Sequence, residues 1–308
     1  MFDPVVGIPP DLIRHSGPSI MSDQTWHLPR DKYRPIRKQT AGKGIKVAVL
    51  DTGVYNHPDL PTPVAAKSFI RGQTVNDRNG HGTHCSGTVL SRDEDIGLAP
   101  EADLIIGKVL SDQGSGSSSG IAAGINWAID EGADIISLSL GGGSAYAPTI
   151  EAIKRAFANG VIVVAAAGNS GFNGRSNTIG YPARSGEAVC VAALKSDFTP
   201  ANFSSGGEQM TVAAPGQQIL SCNNGPGFVF MSGTSMATPF VAGCFALIVS
   251  KMRELGKPSW TSVEAVDRFI ESNSKDLLAP GRDAATGHGM FDMTEVITHV
   301  AKDDLNYV

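Results

Sequence analysis

Hydrophobic residues in the middle of this chain fall into short continuous runs rather than into strict alternation with polar residues. The runs are rich in β-branched residues and occupy 45–51, 102–110, 133–141, 160–168 and 188–194. Continuous apolar character over so few residues is typical of strands that are buried on both faces of a parallel sheet. The pattern therefore predicts a mostly parallel central sheet.

Stretches with helical spacing lie between several of these runs. Two of them, 120–132 and 148–160, end in glycine, which often terminates a helix. A third stretch, 237–255, is apolar on nearly all sides, so a central buried helix is predicted there. Strands that alternate with helices indicate an α/β fold of three layers, in which helices flank the sheet.

Several polar residues follow directly after predicted strands. Asp51, the segment 139–142 and the pair Gly168–Asn169 all stand at such positions. The carboxyl ends of parallel strands meet at one edge of a sheet, and α/β proteins place their sites there. We expect these three groups to converge on that edge.

Composition and charge narrow the function classes. The 308 residues are 41% hydrophobic and 18% charged, which is typical of a globular chain rather than a disordered one. A net charge of −5 argues against a nucleic-acid partner, and the basic stretch 30–43 is interpreted as a solvated face. Because the chain has no apolar run of about 18 residues, no membrane partner is predicted.

The N-terminal sequence and the cysteines bear on location. Residues 1–20 do not have the basic region followed by an apolar region that marks a secretory signal. Cys85, Cys190, Cys222 and Cys244 lie far apart without CxxC spacing, so neither a zinc site nor a disulfide framework is predicted. Free thiols fit a reducing compartment. We therefore expect a cytoplasmic protein, with secretion by another route as the alternative.

Three segments carry residues of catalytic type: VLDTGV (49–54), NGHGTHCSGT (79–88) and GTSMATPFVAG (233–243). Each alone has a plainer interpretation, since Asp after a strand caps turns, His between glycines is commonly structural, and Ser at a helix start is commonly an N-cap. The DTG tripeptide also occurs in aspartic proteases, but the second carboxylate motif that they need is absent from the sequence. The segment GSGSSSG (114–120) does not have the spacing of a dinucleotide fingerprint, which disfavours a nucleotide-binding protein.

Taken together, the three segments resemble the subtilisin family of serine proteases, including its proteinase K branch, over about 43–293. The resemblance implies that Asp51, His81 and Ser235 are the acid, the base and the nucleophile of a catalytic triad. It also implies that Asn169 donates a hydrogen bond to the oxyanion. A serine hydroxyl needs an imidazole to take its proton, and a carboxylate orients that imidazole.

The implied function is hydrolysis of internal peptide bonds of polypeptides through an acyl-enzyme, with no cofactor for catalysis. An inactive relative that only binds peptides is the alternative, and the four intact residues argue against it. The resemblance also implies a cleft with two edges that pair with an extended substrate, and a roomy pocket that takes large apolar P1 side chains with broad specificity. The first edge consists of Gly114, Ser115 and Gly116, the second of Ser139, Leu140, Gly141 and Gly142, and the pocket of Ala166, Gly168 and Gly180.

We expect residues 1–20 to form an N-terminal extension and 21–308 to form the peptidase domain. A short extension resembles that of the intracellular subtilisins, in which such a segment lies across the active site of a zymogen and blocks it. The resemblance implies that Gly7–Pro10, which contains an Ile-Pro pair, is the blocking element. Proline has no N–H and a fixed φ, which makes such a segment a poor substrate. A disordered tail is the alternative, and the sequence leaves a homodimer open.

Structural calcium is a further expectation from the resemblance. Asp59 matches a calcium ligand of the family, and Asp93, Glu94 and Asp95 offer the oxygen ligands that hard cations prefer. A solvated acidic loop is the alternative interpretation of this cluster. Such an ion would take no part in the chemistry.

Overall fold

The structure, a computed structural model, describes residues 3–8, 13–15, 25–174 and 176–302. Its described strands are β1 (Val5–Gly7), β2 (Ile13–His15), β3 (Lys46–Asp51), β4 (Ala65–Ser68), β5 (Asp103–Lys108), β6 (Ser115–Ser117), β7 (Ile135–Leu138), β8 (Ile162–Ala166), β9 (Val189–Leu194), β10 (Val212–Pro215), β11 (Ile219–Cys222), β12 (Phe228–Ser232), β13 (Ser274–Lys275) and β14 (Met290–Phe291). Its described helices are α1 (Arg30–Arg37), α2 (His81–Leu90), α3 (Ser118–Asp130), α4 (Ala147–Ala158), α5 (Thr234–Glu254), α6 (Val263–Asn273) and α7 (Met293–Lys302).

Seven strands form the central sheet in the order β10-β9-β8-β7-β3-β5-β4. Every neighbouring pair runs parallel. All residues of β7, β8 and β9 are buried, which explains why these strands read as continuous apolar runs. The predicted α/β fold, a mostly parallel sheet flanked by helices, is confirmed.

Two groups of helices cover the sheet. Helices α3 and α4 pack against each other, with α3 against β3 and β5 and α4 against β8. Helix α5 packs against α2 and against β7, β8 and β9. The α3 helix begins two residues before the predicted start, because the Ser117 side chain accepts a hydrogen bond from the Gly120 N–H and so caps it.

Helix α5 is the core helix that the sequence predicts. Within the described residues it alone has the length and apolar composition needed to cross a membrane, yet 94% of its most apolar stretch is buried inside the protein. Its position in the core accounts for its apolar character on all sides. The four cysteines are buried and free, which agrees with the predicted absence of disulfides.

The N-terminal residues form strands that pair outside the central sheet. Strand β1 pairs antiparallel with β6, and β2 pairs antiparallel with β12, beside β11. Pro9 and Pro10, two residues of the candidate blocking element, lie outside the described residues. Strand β6 follows the carboxyl end of β5, and β12 ends just before α5 begins.

Candidate active site

Asp51 and His81 form a buried, hydrogen-bonded pair. Asp51 is the last residue of β3, and His81 is the first residue of α2. The His81 Nδ1 atom lies 2.8 Å from Asp51 Oδ1, which also accepts a 2.7 Å hydrogen bond from the Thr52 N–H. Both side chains are at most 1% exposed. The structure therefore joins two of the three predicted triad residues directly.

Glycines of the segment NGHGTH (79–84) allow helix α2 to approach the turn after β3 closely. A Cβ atom on Gly82 would lie 2.3 Å from the Gly53 carbonyl oxygen and 3.2 Å from Asp51 Cβ. Gly80, the residue before the helix, has a φ of +97°, which favours glycine. The glycines of this motif thus let α2 pack on the turn after β3, which brings His81 to Asp51.

Ser235 lies at the start of α5, beside the same pair. Its Oγ donates a 3.2 Å hydrogen bond to the Ser139 carbonyl, and Ser139 Oγ donates a 2.8 Å hydrogen bond to the Ser235 carbonyl. Cys85 Sγ lies 3.9 Å from His81 Nδ1 and 3.5 Å from the Ser235 carbonyl oxygen, so one thiol contacts both residues. Ser235 Oγ does not hydrogen-bond His81, and the buried His81 Nε2 has no partner within the described structure.

Asn169 presents a second buried polar atom without a partner. Its Oδ1 accepts hydrogen bonds of 3.0 Å from both the N–H and the hydroxyl of Thr234, the residue before Ser235. Its Nδ2 donor is buried and unpaired among the described residues. Buried donors are almost always satisfied, so an unpaired one beside a helix start indicates a place prepared for an acceptor.

The protonation behaviour of His81 follows from its surroundings. Burial disfavours the charged imidazolium, but the Asp51 carboxylate and the Cys85 sulfur, which both contact His81, together outweigh this desolvation. The pKa of His81 therefore lies well above its usual value. Burial also raises the pKa of the neighbouring Cys85 thiol, which keeps it protonated.

Asp77 is a residue of this site that the sequence analysis missed. It is 2% exposed, and its Oδ1 accepts hydrogen bonds from Thr52 Oγ1, the Asn79 N–H and the Gly80 N–H. Its Oδ2 accepts hydrogen bonds from the N–H and the hydroxyl of Thr83. The carboxylate thus ties the residue after Asp51 to the first turn of the helix that begins with His81. Its position four residues before His81 was the only signal available.

Lys108 supports the same arrangement from the neighbouring strand. Its side chain is fully buried, and Nζ donates hydrogen bonds to the Thr52 carbonyl and, at 2.8 Å, to Asp112 Oδ1. The Asp112 carbonyl accepts a 3.1 Å hydrogen bond from Asn79 Nδ2, which closes the network. A buried lysine is stable only when such partners compensate its charge.

The two predicted cleft edges face each other across the N-terminal residues. Gly7 and Gly141 exchange two hydrogen bonds of 3.1 Å, and the Ile8 N–H donates a 2.9 Å hydrogen bond to the Gly114 carbonyl. On the other side, Val5–Gly7 pairs with Ser115–Ser117. A stretch of the chain itself therefore takes the place between the edges that the sequence analysis predicted for a polypeptide.

The predicted pocket residues are also brought together. Ala166 is buried at the end of β8, and the Gly180 N–H donates a 2.9 Å hydrogen bond to the Ala167 carbonyl. Gly168 is tied to the start of α5, since its N–H donates a 3.0 Å hydrogen bond to Thr234 Oγ1. Leu140 is fully buried and belongs to the core below this edge.

The residues expected to hold calcium do not assemble into a ligand set. Asp59 lies 3.6 Å from His57 Nδ1, and Arg30 forms an ion pair with Asp95. Arg37 donates hydrogen bonds to three backbone carbonyl oxygens of the acidic loop, those of residues 94, 97 and 98. A guanidinium therefore takes the carbonyl oxygens that a hard cation would need.

Where the structure is described, the one group of side chains with metal-ligand spacing is Asp51, His81 and Cys85, which is the candidate active site itself. The acidic loop and Asp59 thus do not fit a calcium ion as they stand. The expectation of structural calcium remains a prediction, which the Arg37 experiment below tests.

Comparison with known proteins decides the family. The sequence model of a protein family described as Peptidase S8, Subtilase family, matches residues 42–289 of this chain. The chain belongs to the subtilase family. This subtilase is 45% identical to Subtilisin DY of Bacillus licheniformis over 215 residues, which cover 68% of this chain and 78% of that protein.

Two further relatives are similar over much of their length. Subtilisin Savinase of Lederbergia lenta is 44% identical over 227 residues, 72% of this chain and 81% of that protein. Subtilisin E of Bacillus subtilis (strain 168) is 40% identical over 258 residues, 82% of this chain and 65% of that protein. The protein is a subtilisin-type serine endopeptidase, as the sequence motifs indicated.

One expectation from the sequence is wrong. The cytoplasmic location inferred from the N-terminal residues and the free thiols conflicts with the relatives, which are secreted extracellular subtilisins. The alternative of secretion fits them better. Composition failed here because buried thiols stay free for reasons of packing, whatever the redox state of the compartment.

Proposed function

We propose that this subtilase cleaves internal peptide bonds through an acyl-enzyme on Ser235. Ser235 Oγ attacks the scissile carbonyl carbon while His81 Nε2 takes the hydroxyl proton, and Asp51 stabilises the imidazolium. The oxyanion accepts a hydrogen bond from Asn169 Nδ2. The imidazolium then returns its proton to the leaving amine, and water repeats the sequence to release the acid and free Ser235.

The observation that carries this proposal is the pair of buried polar atoms without partners, His81 Nε2 and Asn169 Nδ2. One is a base linked to a carboxylate and the other is a donor linked to the residue before Ser235. A tetrahedral intermediate on Ser235 would satisfy both atoms at once. In the reaction, Ser235 Oγ turns from the Ser139 carbonyl, its partner in this structure, towards His81.

The test is covalent labelling of Ser235 with a fluorophosphonate, read by peptide mass spectrometry, together with hydrolysis of a chromogenic peptide. We expect labelling to abolish hydrolysis and Ser235→Ala to lower kcat by about 10⁶-fold, the magnitude established for the corresponding serine of a subtilisin. Ser170→Ala, a change at an exposed serine, is the matched control. Full hydrolysis by the Ser235→Ala variant, or inhibition by pepstatin, would contradict the serine mechanism.

The proposed substrates are polypeptides with large apolar P1 side chains, taken with broad specificity. This part rests on the small residues Ala166, Gly168 and Gly180, which crowd the expected pocket least. A series of p-nitroanilide peptides that differ only at P1 tests it. We expect Phe or Leu at P1 to be preferred over Asp, and equal rates for Phe and Asp would contradict it.

We further propose that the N-terminal extension inhibits the enzyme by lying in its cleft. Residues 3–8 bind between the two edges, and β2 pairs with β12, which ends at Ser232, three residues before Ser235. The extension thus pairs with one cleft edge and with the strand that leads to the nucleophile. Val6 is 5% exposed in a small pocket lined by Ser118, Ile121 and Tyr181, whereas Val5 beside it is 72% exposed.

Val5 and Val6 provide a matched pair of variants for this proposal. Val6→Arg places a charge in the pocket and should release the extension, so that the intact chain hydrolyses peptides faster, as should deletion of residues 1–20. Val5→Arg adds the same charge at an exposed position and should leave the rate as it is. Equal rates for all of these chains would contradict inhibition.

A homodimer stays a separate prediction, which light scattering on the intact chain decides.

A further inference from the structure

The first turn of α3 holds a carboxylate of the N-terminal extension. Asp3 Oδ1 accepts a 3.0 Å hydrogen bond from the Ser119 N–H, and Asp3 Oδ2 accepts a hydrogen bond from Ser119 Oγ. Helix α3 is 13 residues long, so its N-terminus presents free N–H groups and the positive end of a substantial dipole. The occupant is a carboxylate of the chain that lies in the cleft, not a residue of the helix itself.

The backbone on either side fixes the spacing of this contact. The Pro4 carbonyl accepts 2.9 Å hydrogen bonds from both the N–H and the hydroxyl of Ser118, the first residue of α3. Two residues later, Val6 enters the pocket beside Ser118. A chain that pairs with β6 in this register therefore brings the side chain three positions before the pocket residue to Ser119.

The chemistry of the contact selects for negative charge. The Ser119 hydroxyl hydrogen bond lowers the pKa of Asp3 against the opposing effect of desolvation, so the carboxylate is ionised at neutral pH. An amide in its place could accept through one oxygen only and would gain little from the helix dipole. The contact is solvent-exposed, so salt weakens it.

We propose that the substrate cleft ends in a subsite for an acidic side chain, formed by Ser119 and the first turn of α3. The enzyme then prefers polypeptides with Asp or Glu three residues before the small aliphatic residue that fills the Val6 pocket. This inference rests on the proposed function, because it takes the extension as a guide to how a substrate lies between the edges.

The test uses the full-length Val6→Arg chain, in which the extension no longer competes for the cleft. Three p-nitroanilide peptides are compared, each with Phe at P1. The first carries residues 3–8 before the Phe, the second has Asn for the Asp, and the third has its Asp moved to the position of the exposed Val5. We expect kcat/KM to be about 2- to 5-fold higher for the first peptide than for either of the others, since helix-terminus charges contribute modestly.

The preference should shrink in about 0.5 M NaCl, where exposed charges are screened within a few ångströms. Ser119→Glu, added to the Val6→Arg chain, should reverse the order of the first two peptides through repulsion between carboxylates. Equal kcat/KM for all three peptides, with Ser235 still labelled by the fluorophosphonate, would overturn the acidic subsite alone. No hydrolysis of any peptide and no labelling would instead overturn the proposed function.

Discussion

Two regions of this subtilase join neighbouring elements through charged groups, and they do so in opposite surroundings. Asp77 is buried and accepts five hydrogen bonds that tie the turn after β3 to the start of α2. The arginines of α1 reach the acidic loop across the surface, where the Arg34 side chain is 52% exposed and that of Glu94 is 63% exposed.

Charged groups therefore contribute most to the stability of this fold where they are buried. Removing a buried acceptor leaves several donors without water or partner, and each such group costs about 1–3 kcal/mol. Exposed ion pairs are screened and contribute about 0–1 kcal/mol. Arg37 lies between these limits, because it is half-buried and binds backbone carbonyls rather than a mobile side chain. Substitutions at Asp77, His27 and Arg37 test this contrast between buried and exposed charges.

Asp77→Ala should have the largest effect, with a loss of about 4 kcal/mol in the free energy of unfolding, because several buried donors lose their acceptor together. We also expect kcat to fall while KM changes little, since Asp77 positions His81 and touches no substrate. Urea unfolding and steady-state kinetics measure both. Asp31→Ala, at an exposed position of α1, is the control. An Asp77→Ala chain as stable as the parent would show that the buried network is not stabilising.

Acid should destabilise the fold through two buried histidines. Burial lowers the pKa of both His27 and His84 to about 3, below the unfolded value near 6.5. Below pH 6.5 the unfolded chain therefore binds protons that the folded chain does not, and stability falls as pH falls towards 3. Each histidine should cost about 2 kcal/mol between pH 7 and pH 5.

His27 is the better site for this measurement, because neither ring nitrogen has a hydrogen-bond partner in the described structure. His27→Leu removes the titrating group without breaking a polar contact, so the drop in unfolding free energy between pH 7 and pH 5 should shrink by about 2 kcal/mol. The exposed Lys38→Leu change should leave the drop unaltered. An unchanged drop in the His27→Leu chain would mean that the pKa of His27 is the same in the folded and unfolded chains.

Arg37→Met should have the smallest of the three effects, about 1–2 kcal/mol, through loss of hydrogen bonds from a charged donor to three carbonyls. Arg34→Met, which breaks only an exposed ion pair, should cost about 0.5 kcal/mol or less.

A chelator tests the calcium expectation directly. If the Arg37 guanidinium binds the carbonyl oxygens in place of calcium, a chelator should not change the Tm of the parent chain. A clear fall in Tm with chelator would support the predicted structural calcium.

The sequence was most informative where one local pattern decides the structure. The runs ending at Asp51 and at Ala166 were recognisable as buried strands because a strand covered on both faces must be continuously apolar. The segments around His81 and Ser235 were recognisable because their glycines and hydroxyls recur together in a known family. Fold, family and candidate triad residues could all be named at that stage.

Contacts between distant segments were out of reach. Asp77 collects donors from Thr52 and Thr83, and nothing in the local pattern around residue 77 indicates such a cluster. The contact of Arg37 with the Glu94 carbonyl joins residues 57 positions apart, and the sequence around the acidic loop does not indicate it. The meeting of Asp3 with Ser119 depends on strand register, which short segments do not specify.

Helix α5 begins at the nucleophile and runs on through the middle of the molecule. Nearly all of its residues are buried, so the segment that holds Ser235 in place is the same one that holds the layers together. Within the described residues, Ser235 is therefore held by one of the most buried elements of the fold, which should open only with the fold as a whole. On heating, loss of peptidase activity and global unfolding should coincide as one cooperative event, so that the working range of the enzyme ends only where the whole fold does.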